Sequence, residues 1–171
     1  DLGCCNSRYF SCMAGVGYDA LVIRHNHPKL KQLFGAFSYL MTSLFRFIFY
    51  KPPIISIIDI DHDHSYTGEF AVVSNTSFYG GRFHLANRAQ LNDGLLDICL
   101  FKSFNLLSIF QFLLAIYQRK LSDHSGVFYF QSKNIHITSS TPTDIQLDGE
   151  FYNVLPAAIT VESNRIAILT P

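Results

Sequence analysis

The sequence predicts a mainly β domain of the α+β class, an antiparallel β-sandwich with two amphipathic helices. Short apolar runs rich in β-branched and aromatic residues recur along the chain, and turn residues separate them. Their close spacing suits antiparallel hairpins. Two longer segments instead show the 3.6-residue period of a helix. An irregular barrel carrying two helices fits the same pattern.

The first third of the chain predicts two short strands and a long helix. The strands are Tyr9–Ser11 and Ala20–Arg24, on either side of a glycine turn at 14–17. The helix is predicted over 30–48, where it is stopped by Pro52-Pro53. Its apolar residues recur at helical spacing: Leu30, Leu33, Phe34, Phe37, Leu40, Met41, Leu44, Phe45 and Ile48. Such a stripe usually faces a core, and docking of a partner or a bilayer is the alternative interpretation.

The rest of the chain predicts strands around a second helix. Asn105 is a suitable N-cap for this helix. One helical face carries Leu106, Phe110, Leu113, Leu114 and Tyr117. Arg119 and Lys120 follow at the C-terminal end, where the helix dipole favours positive charge. Strands are predicted at 54–60, 69–74, 95–101, 126–131, 134–138, 144–148, 157–162 and 165–169.

Composition indicates an ordered globular chain and excludes some partners. Apolar residues make up 49% of the chain and charged residues 15%, enough to form a sizeable core. Thirteen basic residues balance thirteen acidic ones, so neither a nucleic-acid footprint nor a polybasic membrane patch is expected. The 16 Phe and nine Tyr predict a bulky core or a surface for an apolar substrate.

The cysteines and the apolar segments indicate a cytosolic protein. Cys4, Cys5, Cys12 and Cys99 form no C-x-x-C pair, and we interpret them as reduced thiols. Polar residues interrupt both long apolar segments, so no bilayer-spanning helix is predicted, although contact with a membrane surface is compatible with the sequence.

The run Asp59–His64 alternates acidic residues and histidines, which can bind transition metals. It lies between two predicted strands, and we interpret it as a hairpin turn. Gly15-Val16-Gly17 resembles half of a dinucleotide-binding fingerprint, but no third glycine or helix start follows, which favours a backbone turn.

Two acidic turns are candidates for chemistry. Asp93-Gly94 either starts the strand at 95–101 or contributes to an oxygen cage for a hard cation such as Mg²⁺. Asp148-Gly149-Glu150 is either a solvated turn or a carboxylate pair whose glutamate acts as a base. Neither motif decides between its two interpretations alone.

Taken together, the motifs closely resemble the C-terminal half of the diacylglycerol kinase catalytic family, with bacterial soluble lipid kinases nearest and sphingosine and ceramide kinases more distant. The resemblance extends from about Arg8 to Pro171. The residues that carry it are Arg8-Tyr-Phe10, Ala14-Gly-Val-Gly17-Tyr-Asp19-Ala20, Asn75, Tyr79-Gly-Gly81, Ala89, Asp93-Gly-Leu-Leu-Asp97 and Asp148-Gly-Glu150.

The resemblance implies that residues 1–171 are the substrate-side β-sandwich lobe of a lipid kinase. The N-terminal nucleotide-binding lobe, with its Gly-Gly-Asp-Gly-Thr loop, is absent from this sequence. It further implies Glu150 as the proton acceptor for a lipid hydroxyl. Mg²⁺ would be held by the Asp93 side chain and the carbonyl oxygens of Gln90 and Leu95, and ATP mainly by the missing lobe.

The implied partners are a diacylglycerol-like lipid, the surface of a membrane on its cytoplasmic side, and the missing lobe. Nucleic acid is not expected, a homodimer is compatible, and this lobe alone is expected to be inactive. Arg82 and Asn87 replace a glycine and a proline that the family often carries, and Arg82 either crowds its turn or contacts a headgroup. The alternative is a non-catalytic β-rich module that binds apolar ligands or partner proteins.

Overall fold

The computed structural model describes residues 1–25, 47, 49–79 and 83–167. Fourteen strands are found within these ranges: β1 (Leu2–Cys5), β2 (Arg8–Phe10), β3 (Met13–Val16), β4 (Ile55–Asp59), β5 (His64–Gly68), β6 (Phe70–Ser74), β7 (Phe78–Tyr79), β8 (Phe83–His84), β9 (Leu96–Phe101), β10 (Val127–Ser132), β11 (Asn134–Ser139), β12 (Asp144–Leu147), β13 (Glu150–Val154) and β14 (Ala157–Glu162). The same ranges contain the helices α1 (Tyr18–His25) and α2 (Leu106–Tyr117) and a 3₁₀ turn at Leu121–Asp123.

The described strands form two six-stranded sheets and one hairpin, and all neighbouring pairs are antiparallel. The first sheet has the order β2-β1-β14-β11-β4-β5, and the second has the order β10-β9-β6-β3-β12-β13. The hairpin consists of β7 and β8. The prediction of a mainly β antiparallel sandwich is therefore confirmed.

The second sheet is buried on both faces, and this explains its sequence. One face packs against the first sheet through residues such as Val73, Ile98 and Leu100. The other face packs against the helices, where Cys99 and Phe101 lie in one cluster with Phe112. All residues of β6 and β9 are buried, so these strands are continuous apolar runs without alternation.

Helix α2 begins as predicted, but its apolar face points away from the core. The Asn105 side chain accepts a hydrogen bond from the Ser108 backbone, and the Ser108 side chain accepts one from the Asn105 N–H, which forms a capping box. The buried residues are Ser108, Phe112 and Ala115. The face that carries Leu106, Phe110 and Tyr117 is exposed.

The predicted strand at Ala20–Arg24 is wrong, because these residues belong to α1. Tyr18 and Val22, one helical turn apart, are both buried. Asp19 in the first turn and Arg24 and His25 in the last turn suit the helix dipole.

The predicted glycine turn at 14–17 is also largely strand, since β3 extends to Val16. Only Gly17, with φ of 102°, makes the turn into α1. At Gly15 a Cβ atom would lie 2.2 Å from an Asp19 carboxylate oxygen, so the strand needs glycine there because of close packing.

The C-terminal part of the prediction is partly wrong. Residues 165–167 form no strand, and 168–171 lie outside the described residues, as does most of the helix predicted over 30–48. Strand β13 was not predicted, because Glu150 and Asn153 make it polar and half exposed.

The four cysteines are free, as predicted.

Candidate active site

The pairing register brings one end of the second sheet together as a single site. Met13 pairs with Ser74, and Ser74 pairs with Asp97. Ala14 pairs with Leu147, so the start of β3, the end of β6, the start of β9 and the end of β12 lie side by side. The two acidic turns predicted from the sequence adjoin this end, because one precedes β9 and the other follows β12.

Asp148 anchors the β12–β13 turn to the start of β3. Its Oδ1 accepts hydrogen bonds from the N–H groups of Cys12 at 2.8 Å and Met13 at 2.9 Å. Its Oδ2 accepts from the Ser11 N–H at 2.6 Å and the Ser11 hydroxyl at 2.9 Å. Asp148 and Gly149 both have positive φ angles, 50° and 86°. With four donors on its carboxylate, Asp148 fixes the position from which the next residue projects.

That next residue, Glu150, is accessible to solvent and held by one cation. Its side chain is 75% exposed, and its Oε2 accepts a hydrogen bond from Arg8 Nη2 at 3.0 Å. The Arg8 guanidinium in turn lies 5.5 Å from the centre of the Tyr152 ring. A carboxylate in this setting can be approached by a substrate hydroxyl.

A cavity of about 540 Å³ lies against the same turn. Its walls include Met13, Phe78, Ala89 and Leu91, and its polar side is formed by Asp148 and Gly149 together with Cys12, Thr76 and Ser77. Mostly apolar walls with a few polar groups at one side are typical of small-molecule sites. The chain runs directly from the wall at Ala89 and Leu91 into the Asp93 turn.

The Asp93 turn is ordered by local hydrogen bonds. Asp93 Oδ1 accepts from the Leu95 N–H at 3.0 Å, and Gly94 has a φ of 69°. Asp1 Oδ2 accepts from the Gly94 N–H at 2.7 Å. Asp93 and Leu95 are half-buried and Gln90 is exposed, and all three belong to the segment that leads into β9.

Asp97 is a buried carboxylate next to this turn, and the sequence assigned it no role. It accepts hydrogen bonds from the Tyr129 hydroxyl and from Gln131 Nε2. Burial raises the pKa of Asp97, and the negative charge of Asp93 raises it further. Asp93 and Asp97 therefore interact electrostatically, and a cation at Asp93 would relieve their repulsion.

Asp19 forms a second buried carboxylate cluster that connects α1 to the Asp148 turn. Its Oδ2 accepts hydrogen bonds from the Tyr79 hydroxyl at 3.0 Å and Gln146 Nε2 at 3.1 Å. Gln146 Oε1 accepts from the Gly149 N–H at 2.7 Å. Burial raises the pKa of Asp19 to about 6. The only sequence signal for this cluster was the aspartate that follows the two glycines.

The Asp59–His64 run forms the turn between β4 and β5, as predicted. Buried Asp59 accepts from the Ser132 hydroxyl at 2.7 Å and lies 2.8 Å from His62 Nδ1. Asp61 Oδ2 accepts from the N–H groups of Lys133 at 2.7 Å and Asn134 at 3.1 Å. The Lys133 bond lowers the pKa of Asp61. These carboxylates bind the neighbouring β10–β11 turn.

Two further observations concern metals and membranes. Across the described ranges, no three His, Cys, Asp or Glu side chains converge as metal ligands. The Asp93 turn offers one carboxylate, and its other predicted donors are backbone carbonyls. In the part of the chain that the structure describes, no helix is long and apolar enough to cross a bilayer.

Comparisons with known proteins identify a matching family model and several relatives. A family model described as the YegS C-terminal NAD kinase beta sandwich-like domain matches residues 12–170. A diacylglycerol kinase from Staphylococcus epidermidis is 27% identical over 176 residues, which cover 100% of this chain and 54% of that protein. A diacylglycerol kinase from Bacillus subtilis is 24% identical and covers 100% of this chain and 56% of its own length.

A solved structure shares the fold. The crystal structure of a diacylglycerol kinase from Bacillus anthracis matches with a TM-score of 0.69 and 19% sequence identity, over 95% of this chain and 52% of that one. The chain spans about half the length of the curated relatives that it matches.

Proposed function

The chain belongs to the YegS C-terminal NAD kinase beta sandwich-like family, and from this premise we propose that it is the substrate-side lobe of an ATP-dependent lipid kinase. The substrate class is a lipid hydroxyl, diacylglycerol-like by analogy with the names of the relatives. The observation that carries the proposal is the cavity with apolar walls between the Asp148 turn and the segment of Ala89 and Leu91 that precedes the Asp93 turn.

Glu150 is the proposed general base. In the transfer step Glu150 accepts the proton of the lipid hydroxyl, and the hydroxyl oxygen bonds to the γ-phosphorus of ATP. The bond from that phosphorus to the β-phosphate oxygen breaks, and ADP leaves. The exposure of Glu150, which directly follows the cavity residue Gly149 in the chain, supports this role. Arg8 orients the carboxylate through Oε2, and Oε1 accepts no hydrogen bond within the described residues.

The Asp93 turn is the proposed Mg²⁺ site, with the Asp93 carboxylate and the carbonyl oxygens of Gln90 and Leu95 as protein ligands. The donor set fits the ion, because carboxylate and carbonyl oxygens are the ligands that Mg²⁺ prefers. The electrostatic interaction between Asp93 and buried Asp97 also favours a cation there. When bound, Mg²⁺ would supply positive charge next to the reacting phosphate groups.

ATP is proposed to bind mainly to an N-terminal lobe that this sequence does not include. The relatives are about twice as long as this chain, which leaves room for such a lobe in the complete protein. We expect the 171 residues alone to bind no ATP and to be inactive. The complete protein is proposed to act in the cytoplasm at a membrane surface, where its lipid substrate is found.

The exposed apolar side of α2 favours a second candidate function, a non-catalytic module for apolar ligands. The two functions differ in whether phosphate is transferred to the lipid. A module would bind lipid without phosphorylating it, whether or not ATP is present.

A transfer assay tests the proposal. The complete protein is incubated with Mg²⁺, ATP radiolabelled at the γ-phosphate, and separate lipids: diacylglycerol, phosphatidylglycerol and a sphingoid base. We expect a labelled lipid phosphate with diacylglycerol and none when Mg²⁺ is chelated. A folded protein that labels no lipid while retaining lipid binding would contradict the kinase and favour the module.

A further inference from the structure

The outward side of α2 is apolar and uncovered. Leu106, Leu107, Phe110, Leu113, Leu114 and Tyr117 are between 48% and 87% exposed. At 100° per residue they fall within an arc of about 120°, opposite the buried residues of the helix. No residue of α2 carries a formal charge. We call these six residues the α2 face.

Cations follow the α2 face at its C-terminal end. Arg119 and Lys120 come directly after the helix and are exposed. The nearest acidic residue in the sequence, Asp123, is bound to Arg88 at 2.7 Å. This end of the helix therefore presents positive charge to solvent beside apolar side chains.

The β7–β8 hairpin connects α2 to the candidate site. Helix α2 lies beside β8 in the fold. The other strand of the hairpin contributes Phe78, which is half exposed and lines the cavity next to Asp148 and Gly149. A surface that binds through α2 would therefore lie near the cavity that the proposed substrate enters.

We propose that the α2 face lies on an anionic lipid bilayer and holds the nearby cavity at the bilayer surface. A helix with an uncharged apolar side and flanking cations is suited to the interface between headgroups and acyl chains. The inference rests on the proposed function, because a kinase whose substrate stays in a bilayer needs its cavity open toward that bilayer. Helix α2 provides the apolar anchor, and Arg119 and Lys120 attract anionic headgroups.

An anionic bilayer fits this surface better than a second copy of the chain. Helix α2 carries no acidic residue that could pair with Arg119 and Lys120 of a second copy packed against it helix to helix. Anionic headgroups supply such partners next to the acyl chains that receive the apolar side chains.

Vesicle co-sedimentation of the complete protein tests the inference. The vesicles contain phosphatidylcholine with a minority of phosphatidylglycerol. Phe110→Ser combined with Leu114→Ser should weaken binding at least about tenfold, because the variant no longer transfers two large apolar side chains from water into the bilayer. The matched control, Ile58→Ser with Ile60→Ser, removes exposed apolar groups from the first sheet and should bind like wild type.

A charge variant provides a second measurement. Arg119→Gln with Lys120→Gln should weaken binding to the anionic vesicles by about tenfold or more and leave binding to pure phosphatidylcholine vesicles unchanged. Wild-type binding by the Phe110/Leu114 variant would overturn the inference. Loss of a dimer in that variant with vesicle binding retained would also overturn it, in favour of a second copy.

Kinase assays separate this inference from the proposed function. The Phe110/Leu114 variant should phosphorylate a short-chain, monomerically dispersed diacylglycerol at the wild-type rate and a vesicle-embedded one more slowly. An equal loss on both substrates would overturn the docking role. A wild-type protein that binds vesicles through α2 but phosphorylates neither substrate would contradict only the proposed kinase function.

Discussion

The first and second sheets each carry a group of carboxylates, and the two groups have different partners. On the first sheet, Asp59 and Asp61 are bonded to a hydroxyl and to backbone N–H groups of an adjacent turn. At the end of the second sheet, Asp93 and Glu150 each lie within two residues of the chain segments that line a cavity of about 540 Å³, and they are only partly bonded within the chain. A carboxylate bonded to an adjacent turn holds the fold together, whereas a carboxylate near a cavity is available for a ligand.

The largest expected effect is on catalysis by Glu150, one of the carboxylates at the end of the second sheet. Glu150→Gln in the complete protein should lower the rate of phosphate transfer about 10²- to 10⁴-fold, the usual contribution of a general base. The melting temperature should stay unchanged, because the side chain is mostly exposed. The matched control is Glu162→Gln, which makes the same change at the end of β14 in the first sheet and should keep full activity. Comparable losses in both variants would remove Glu150 from its proposed role.

The next largest effect concerns pH and Asp19. Its pKa is raised by burial from 3.8 to about 6, so the folded state binds this proton more tightly than the unfolded state. The contribution of Asp19 to stability is therefore largest below about pH 4 and falls as the pH rises through 6, by about 3 kcal/mol at about 1.4 kcal/mol per pKa unit. The stability of Asp19→Asn should not fall in this way, because asparagine does not titrate. Its amide oxygen can still accept the hydrogen bonds from Tyr79 and Gln146, which both donate to one oxygen of Asp19.

Denaturant unfolding at several pH values measures this difference. Asp61→Asn on the first sheet should show the opposite sign, because the pKa of Asp61 is lowered in the folded state. Its stabilising contribution is present above the unfolded pKa and is lost as the pH falls through the lowered folded value. Parallel pH profiles for wild type and Asp19→Asn would rule out the raised pKa.

A smaller effect on stability is expected from substitution of Asp59, one of the carboxylates on the first sheet. Asp59→Ala removes the nearest acceptor of the Ser132 hydroxyl and the carboxylate partner of His62, and should cost about 1–3 kcal/mol. Asp59→Asn, which keeps an acceptor oxygen, should cost less. Both variants should transfer phosphate like wild type at a temperature where they are folded, and a specific loss of activity would place the first sheet in the site.

The smallest effect concerns Mg²⁺ binding. In the complete protein without ATP, Mg²⁺ at ten times its Kd should stabilise the fold by about 1.4 kcal/mol, a rise of a few degrees in Tm. Asp93→Asn should reduce this rise, and Asp61→Asn should keep it. An equal rise in wild type and Asp93→Asn would favour the simple turn over the metal site.

The sequence predicts strands correctly where both faces of the sheet are buried. It fails where a strand is polar or a helix is short. Strands β6 and β9 were predicted because both of their faces are buried, so their residues are apolar except for Ser74 and Asp97. Strand β13 was missed because it is polar, and α1 was missed because its eight residues show little helical periodicity.

The candidate site depended on resemblance, because its contacts join distant parts of the chain. Arg8 and Glu150 are 142 positions apart, and no local pattern indicates that they bond. The buried position of Asp97 was visible only as one acidic residue within an apolar run. Gln146 connects Asp19 to the Asp148 turn, and only the strand register reveals this connection. The roles of Glu150, Asp93, Gln90 and Leu95 remain predictions.

The central claim is that the carboxylates of the second sheet, and not those of the first, form the site. Paramagnetic broadening by Mn²⁺, used in place of Mg²⁺, tests it most directly in an NMR spectrum of the complete protein. We predict that low Mn²⁺ concentrations broaden the amide signals of Gly94 and Leu95 and leave those of Lys133 and Asn134, which bond Asp61, sharp. Broadening of Lys133 and Asn134 at equal or lower Mn²⁺ concentration would contradict the claim.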